Sequence, residues 1–175
     1  MIKFLNFSIK FLIIFSLVSL FFMFSTLWYF SIGLPDYKKL SNYQPPISSR
    51  VYSNDGVLIA EYALEKRLFI PIESVPKKII NSFLSAEDKN FFKHPGVDAK
   101  GILRALIKNL QNISKNKRLE GASTITQQVA KNFLLTNEVS LNRKIKEAIL
   151  AFRIERAYSK ERILELYLNQ IYLGQ

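Results

Sequence analysis

The chain has 175 residues, a length that favours one modest domain with appendages. It has no cysteine and a single histidine, His94, which excludes disulfides, thiolate metal sites and histidine-rich metal sites. The formal net charge is +11, and this basic balance, without the spacing of any nucleic-acid motif, favours anionic lipid headgroups or a lipid-linked phosphate over nucleic acid as partner.

The N-terminus contains an uncharged, mostly apolar run from Phe11 to Pro35 that is long enough to cross a bilayer. Trp28 and Tyr29 near its end suit the interfacial aromatic belt. A cleaved signal peptide is the alternative, but it normally has an Ala-x-Ala type cleavage site, and the first alanine here is Ala60. We therefore predict that residues 1–35 form a short tail and an uncleaved transmembrane signal anchor. Lys3 and Lys10 precede the span and Lys38 and Lys39 follow it, so the positive-inside rule leaves the orientation open, and the tail is assigned to the cytoplasm.

Residues 36–75 are predicted to form a linker, marked by Pro45-Pro46, and a small β element. Asp-Gly at positions 55–56 stands between two β-forming runs, which is typical of a hairpin. A third strand is also predicted over residues 67–72.

Residues 76–175 have helical periodicity and are predicted to form one mainly α domain. The segment from Lys115 to Gly121 interrupts the pattern and is predicted to be a charged, mobile loop. Residues that can cap the N-termini of the helices are Asp98, Ser123, Ser140 and Ser159.

Glu87 is unusual because it lies inside an apolar arc of the first helix of this domain. At about 100° per residue, Phe83 precedes it by one turn and Phe91 follows it by one turn. A carboxylate on an apolar face is expected to be partly desolvated, which suits a proton-transfer role near neutral pH. A structural ion pair with a buried Arg or Lys is an equally open interpretation.

The helix predicted after Ser140 has two apolar stripes. The stripe through residues 141, 145, 148 and 152 is predicted to be the main core face, and Arg143 and Glu147 lie on the second stripe. These two residues form either a surface ion pair or a cationic cleft wall whose carboxylate holds a metal or orients the cations. Glu155 is predicted to be a structural carboxylate paired with a nearby Arg or Lys.

Four ordered motifs identify a family. They are EDKNFFKHPG at residues 87–96, GASTITQQVAKN at residues 121–132, Arg143-Lys144-x-x-Glu147, and KERILELYLN at residues 160–169. The chain resembles the peptidoglycan glycosyltransferase domain (glycosyltransferase family 51) of class A penicillin-binding proteins, most closely the 1A type. The resemblance covers nearly the whole chain.

The resemblance implies a lysozyme-like, mainly α fold with two lobes around a cleft beside the membrane. It also implies polymerisation of lipid II on the outer, periplasmic face of the bacterial inner membrane, in cell wall biosynthesis. The 4-hydroxyl of the acceptor's N-acetylglucosamine attacks C1 of the donor's N-acetylmuramic acid, undecaprenyl diphosphate leaves, and a β-1,4 bond forms with inversion. Expected partners are lipid II, the growing lipid-linked glycan, the membrane and cell-wall synthesis proteins.

Site residues carry over by position. Glu87 is expected to be the general base, and Glu147 the second acidic residue that organises the diphosphate end, with a divalent metal (Mg²⁺ or Mn²⁺) as one version. Lys131, Arg143 and Lys144 are expected to neutralise the leaving diphosphate. The other expected substrate contacts are Asp88, Phe91, His94, Thr124, Gln128 and Asn132, with a loop role steadied by Pro95-Gly96 left open for His94.

The chain ends at Gln175, where the family continues into further helices and normally a transpeptidase domain. We therefore expect an incomplete glycosyltransferase domain with no transpeptidase activity, whose absent helices would cover Leu164, Leu168 and Ile171. Two alternatives stay open: an inactive membrane-anchored remnant that binds lipid II or a cell-wall synthesis partner, and a lysozyme-like glycan hydrolase. The cationic residues argue against the hydrolase, because hydrolysis produces no diphosphate.

Overall fold

The computed structural model describes residues 2–41, 43, 49–62, 69–115, 117–136 and 138–171. Within these ranges the chain forms six α-helices and one two-stranded sheet, which confirms the predicted mainly α fold with a short β element. The linker prolines, Pro45-Pro46, lie outside the described residues. The elements are α1 (Ile2–Ser31), β1 (Ser49–Tyr52), β2 (Leu58–Tyr62), α2 (Lys77–Glu87), α3 (Ala99–Ser114), α4 (Ile125–Leu134), α5 (Leu141–Ala157) and α6 (Lys160–Gln170), with 3-10 turns at Tyr37–Leu40, Ile72–Ser74 and Phe91–Lys93.

Helix α1 contains the apolar run predicted to cross a membrane. Its segment Ile9–Ser31 has 23 residues and a mean hydropathy of 2.2, and it is long and apolar enough to span a bilayer by length and composition. The end of α1 rests on α5, where the guanidinium of Arg153 donates to the hydroxyl of Ser31. Tyr158 also donates from its hydroxyl to the carbonyl of Tyr37, 3.1 Å away. The apolar helix is therefore joined to the domain at its C-terminal end.

The predicted hairpin is confirmed. Strands β1 and β2 pair antiparallel, with Tyr52 opposite Leu58, and Gly56 takes a positive φ of 81° in the turn. The third strand is wrong for the described residues 69–72, and residues 67–68 lie outside them. There the side chain of Asn169 binds both the N–H and the carbonyl of Ile70, at 2.8 and 2.9 Å, so α6 takes the place of a strand partner.

The core lies between α4, α5 and α6. Helix α5 buries Leu150 and Ile154, whereas Leu141 is 84% and Phe152 43% exposed. The stripe through residues 141 and 152 was predicted to be the core face, and that prediction is wrong. Both arcs of α5 are apolar, so periodicity cannot choose between them, and the arc that packs on α4 and α6 is the one shared with Glu147.

The last turns of α6 are better covered than expected. Leu164 is only 2% exposed, and Leu168 and Ile171 are half-buried and pack against the same core. The expectation that Leu164 presents open apolar surface is therefore wrong. The reason is that α4 and α5 already enclose this side of α6.

Side-chain caps fix where three helices begin, as predicted. Asp98 accepts from the N–H of Gly101, Ser140 from Arg143 and Ser159 from Arg162. The fourth cap is Thr124, one residue later than the predicted Ser123. Thr124 and Gln127 form a reciprocal capping box, which satisfies more backbone donors than a single serine could.

Candidate active site

A cleft of about 570 Å³ opens where α2 ends and where α4 and α5 begin. Its lining is polar and carries both carboxylates and cations. Four segments contribute: the end of α2, the segment before α4, one face of α4 and the first turns of α5. The lining side chains that carry charge are Glu87, Arg118, Lys131, Arg143, Lys144 and Glu147.

Glu87 is the last residue of α2, and its side chain is exposed in the cleft. Gln128 donates from its amide to the Glu87 carboxylate at 2.9 Å, which joins the ends of α2 and α4. The expected desolvation of Glu87 on an apolar helix face is wrong. The helix stops at Glu87 because Asp88 leaves the helical region (φ −152°, ψ 72°), so Phe91 belongs to a separate 3-10 turn.

Asp88, not Glu87, is the buried carboxylate. It is 6% exposed and accepts the backbone N–H of Ile125 at 3.0 Å. That N–H is the first of α4, so the carboxylate also gains from the positive end of the helix dipole. Asp88 therefore holds the start of α4 against the end of α2, directly behind the Glu87–Gln128 pair.

His94 is the second side chain in this buried contact between the end of α2 and the start of α4, here called the buried joint. Its Nδ1 accepts the N–H of Gly96 at 3.1 Å, so the proton must sit on Nε2, which lies 2.9 Å from Asp88 Oδ1. Both ring nitrogens are thus engaged, and the ring is 8% exposed overall. In this arrangement the imidazole positions the loop and has no free nitrogen for proton transfer.

Gly96 lies where a side chain could not fit. It has a positive φ of 102°, and a Cβ there would be 2.8 Å from the backbone carbonyl of Ala151. Its carbonyl accepts from the Thr124 hydroxyl at 2.6 Å. The loop of the first motif therefore packs directly against α5 and is hydrogen-bonded to Thr124, the cap of α4.

Lys160 joins the first motif to the fourth. Its ammonium donates to the carbonyl of His94 at 2.8 Å and to Glu155 at 2.7 Å, and it lies 4.4 Å from the ring centre of Phe91. Glu155 also accepts from the Thr126 hydroxyl at 2.5 Å. The prediction that Glu155 is a structural carboxylate paired with a cation is confirmed.

Glu147 is the centre of the cationic side of the cleft. It is 2% exposed, Arg143 donates to one of its oxygens, and Lys144 donates to the other at 2.7 Å. Lys144 also reaches the hydroxyl of Ser123 at 2.5 Å. One buried carboxylate thus orients two cations. The sequence left open whether Glu147 holds a metal or orients the cations, and these ion pairs match the second interpretation.

Glu147 does not fit a metal held by the protein. Both of its oxygens already bind cations, and among the described residues no three His, Asp or Glu side chains gather around a common point. A divalent cation prefers several oxygen ligands.

The predicted site residues fall into three places. Six line the cleft: Glu87, Gln128, Lys131, Arg143, Lys144 and Glu147. Four are buried behind it, where their side chains bind or pack against other parts of the protein: Asp88, Phe91, His94 and Thr124. Asn132 is exposed on the next face of α4 and lines a separate cavity of about 430 Å³ with Tyr43 and Phe133.

Six residues on the cleft lining were not among the predicted site residues: Ala86, Arg118, Leu119, Gly121, Ser123 and Gln127. Arg118 and Leu119 line the cleft, although their segment was predicted to be mobile. The available signal was the asparagine pair, Asn109 and Asn112, one turn apart on the facing side of α3. The sequence shows that two asparagines lie one turn apart, but it does not show that they hydrogen-bond to this segment.

Comparison with known proteins gives one consistent result. Residues 55–175 match the family model described as "Transglycosylase". The chain is 59% identical over 149 residues to "Penicillin-binding protein 1A" of Rickettsia felis, covering 85% of this chain and 19% of that protein. It is 53% identical over its whole length to the protein of the same name in Rickettsia bellii, covering 22% of it. For the one in Aquifex aeolicus the identity is 48%, over 81% of this chain and 19% of the relative. The chain thus spans about a fifth of the length of these relatives.

Proposed function

The chain belongs to the transglycosylase family, and we propose from this that it is a peptidoglycan glycosyltransferase that polymerises lipid II into β-1,4 glycan strands. The observation that carries the proposal is the composition of the cleft. An accessible carboxylate, Glu87, lies at one end, and cations from α4 and α5 lie on the same lining. A base that accepts the acceptor's proton and cations that stabilise the leaving diphosphate both accelerate glycosyl transfer from a diphosphate.

In the proposed reaction, Glu87 accepts the proton of the acceptor's 4-hydroxyl. The oxygen attacks C1 of the donor sugar from the face opposite the diphosphate, the bond from C1 to the diphosphate oxygen breaks, and the configuration inverts. The amide of Gln128 holds the carboxylate in place before the hydroxyl arrives. The proton leaves Glu87 for solvent, which its exposed position permits.

The leaving undecaprenyl diphosphate is stabilised by Lys131, Arg143 and Lys144. The shared bond to Glu147 keeps Arg143 and Lys144 from turning away, so they are preorganised before the negative charge develops. Asp88, His94 and the cap of α4 are positioning groups in this account. They fix the end of α2 against the start of α4, and with it the spacing between base and cations.

The membrane is the proposed site of action, with α1 as a single-pass anchor and the cleft on the periplasmic side of the inner membrane. Two observations support this. Helix α1 is apolar enough to span a bilayer and is joined to α5, the helix that also carries Glu147. Helix α3 also leaves a row of apolar side chains exposed, among them Leu103, Leu106 and Leu110 at 58–66%. Lipid-linked substrates require an enzyme held at such a surface.

The test is polymerisation of labelled lipid II by the 175-residue protein in detergent micelles, with Glu87→Gln as the variant. Glu73→Gln is the matched control, because Glu73 is exposed on a 3-10 turn away from the cleft. Glycan strands that Glu87→Gln abolishes and Glu73→Gln leaves unchanged support the proposal. Lipid II binding without any product would favour the inactive remnant, and normal polymerisation by Glu87→Gln would remove Glu87 as the base.

A further inference from the structure

The segment of residues 117–122, here the cleft loop, is held by two asparagine side chains of α3. Asn109 binds both backbone groups of Glu120: its amide donates to the carbonyl at 3.0 Å and its oxygen accepts the N–H at 2.7 Å. Asn112 donates to the carbonyl of Arg118 at 3.1 Å. The side chain of Lys108 adds an ion pair with Glu120 at 2.8 Å. The cleft loop therefore has a fixed path along α3.

This path puts Arg118 on the cleft lining, on a segment separate from α4 and α5, the two helices that carry the other cations. Asn112 donates to the carbonyl of Arg118, so the backbone is held at this point of the cleft lining. In the described part of the structure, no carboxylate forms an ion pair with its guanidinium. Arg118 is therefore a cation available to a ligand.

The charge balance gives Arg118 a role. Glu147 already neutralises part of the charge of Arg143 and Lys144, which leaves Lys131 as the only other predicted cation on the lining. Lys131, Arg143 and Lys144 carry three positive charges and Glu147 carries one negative charge, so this set has a net charge of +2. A leaving diphosphate gains negative charge as its bond to C1 breaks, and a guanidinium can bind phosphate oxygens with two parallel hydrogen bonds. Arg118 lines the same cleft as Lys131 and adds a further positive charge to this set.

We propose that Arg118 is a further diphosphate-binding residue of this cleft, and that Asn109 and Asn112 position it by holding the cleft loop on α3. This inference rests on the proposed function, because it takes the ligand to be the diphosphate of a lipid-linked substrate. It adds to that function a residue on the segment between α3 and α4. It also makes α3, the helix with the exposed apolar row, the support of a substrate-binding group.

Binding of undecaprenyl diphosphate to the 175-residue chain in detergent micelles tests the first part. Arg118→Ala should weaken binding about tenfold or more, the loss expected for one charge-assisted hydrogen-bonding group. Lys117→Ala is the matched control: the same loop, the same charge removed, but a side chain off the cleft lining. Arg118→Lys should fall between the two, because it keeps the charge and loses the paired hydrogen bonds. Equal effects of Arg118→Ala and Lys117→Ala would overturn the proposal.

A double-mutant cycle tests the positioning role of Asn109. Asn109→Ala should raise the KM for lipid II several-fold with little change in kcat, and it should add nothing to Arg118→Ala. A purely structural asparagine would instead lower activity equally in both backgrounds, which would contradict the positioning role.

The failure of the arginine proposal can be separated from that of the proposed function. If the unaltered chain polymerises lipid II and Arg118→Ala polymerises with unchanged KM, only the arginine proposal is wrong. If the unaltered chain binds undecaprenyl diphosphate but makes no glycan, polymerisation is wrong, and the binding series still decides the role of Arg118. If the unaltered chain does not bind the diphosphate, both are wrong.

Discussion

Among the described glycines with a positive φ, Gly96 should lose the most stability when it is replaced with alanine. The first cost is conformational: a residue with a Cβ is disfavoured at a φ of 102°, by about 1–2 kcal/mol. The second cost is steric. The new Cβ would lie 2.8 Å from the carbonyl carbon and oxygen of Ala151 and 3.1 Å from Cγ of Glu155.

Helix α5 cannot easily move away from this contact, because Ala151 and its neighbours Leu150 and Ile154 are fully buried. Overpacking against such a backbone costs about 1–3 kcal/mol. Together the two costs come to about 2–5 kcal/mol, a large share of the 5–15 kcal/mol of a typical domain. Activity should fall as well, since Gly96 bonds to both His94 and Thr124.

Urea unfolding followed by far-ultraviolet circular dichroism in detergent micelles measures the loss. Gly56→Ala is the matched control: φ is also positive, at 81°, but no heavy atom lies within 4 Å of the added Cβ. It should lose only the conformational cost of about 1–2 kcal/mol. If Gly96→Ala lost no more stability than Gly56→Ala, the close packing of the first-motif loop on α5 would be refuted.

Three further predictions concern charged or buried groups. Glu147→Gln leaves two cations without their shared anion and should lower the free energy of unfolding in urea by about 2–4 kcal/mol. Glu120→Gln is the control, because it breaks an exposed pair and should lower that free energy by less than about 1 kcal/mol. Equal losses would contradict the buried role of Glu147. The hydrogen bond from Asn90, and after it the hydrogen bond from the N–H of Gly101, lowers the pKa of Asp98. Because this pKa is lower in the folded state than in the unfolded state, the ionised cap stabilises the fold above the unfolded-state pKa. That stability is lost as the pH falls through the folded-state pKa. Asp98→Ala should therefore cost about 1 kcal/mol at pH 7 and progressively less below about pH 4, and a pH-independent loss would refute this. Burial, and then the charge of Glu87, raises the pKa of Tyr167 to about 12, so one tyrosine should ionise late in an ultraviolet titration and be absent in Tyr167→Phe. Its buried hydroxyl has no hydrogen-bond partner among the described residues, so Tyr167→Phe should not lower stability at pH 7, and a loss above about 1 kcal/mol would show a missed partner.

Local chemistry made much of the fold predictable. Asp98, Ser140 and Ser159 cap their helices through their own side chains, and the Asp-Gly pair closes the hairpin within four residues. These outcomes depend on neighbours in sequence and not on the rest of the fold. The fourth cap was missed by one position, because two adjacent hydroxyls compete and only Thr124 has the matching Gln127 three residues on.

Tertiary contacts decided the rest of the fold. Periodicity placed Glu87 on an apolar face by assuming that the helix continues to Phe91, but the bond from Ile125 to Asp88 ends α2 first. The choice of core face on α5 depended on α4 and α6, which no window of that helix contains.

The sequence predicted which charged residues belong to the candidate site, but not which predicted residues line the cleft and which are buried behind it. Sequence motifs brought together the carboxylates and cations that line the cleft, yet Asp88, Phe91 and His94 lie behind it as a buried joint. A motif records which residue types recur, without distinguishing those that meet a ligand from those that hold the site together. Arg118 shows the converse, since its place depends on hydrogen bonds from a different helix.

The central claim is that Glu87 performs chemistry while the cations perform binding. The most direct measurement is the rate of lipid II polymerisation at saturating substrate by Glu87→Gln, together with its Kd for lipid II. The rate should be about 10² to 10⁴ times lower, which is the contribution of a general base, and the Kd should stay within about threefold of that of the unaltered chain. A rate within tenfold of the unaltered chain, or a Kd that weakens in parallel with the rate, would contradict the central claim.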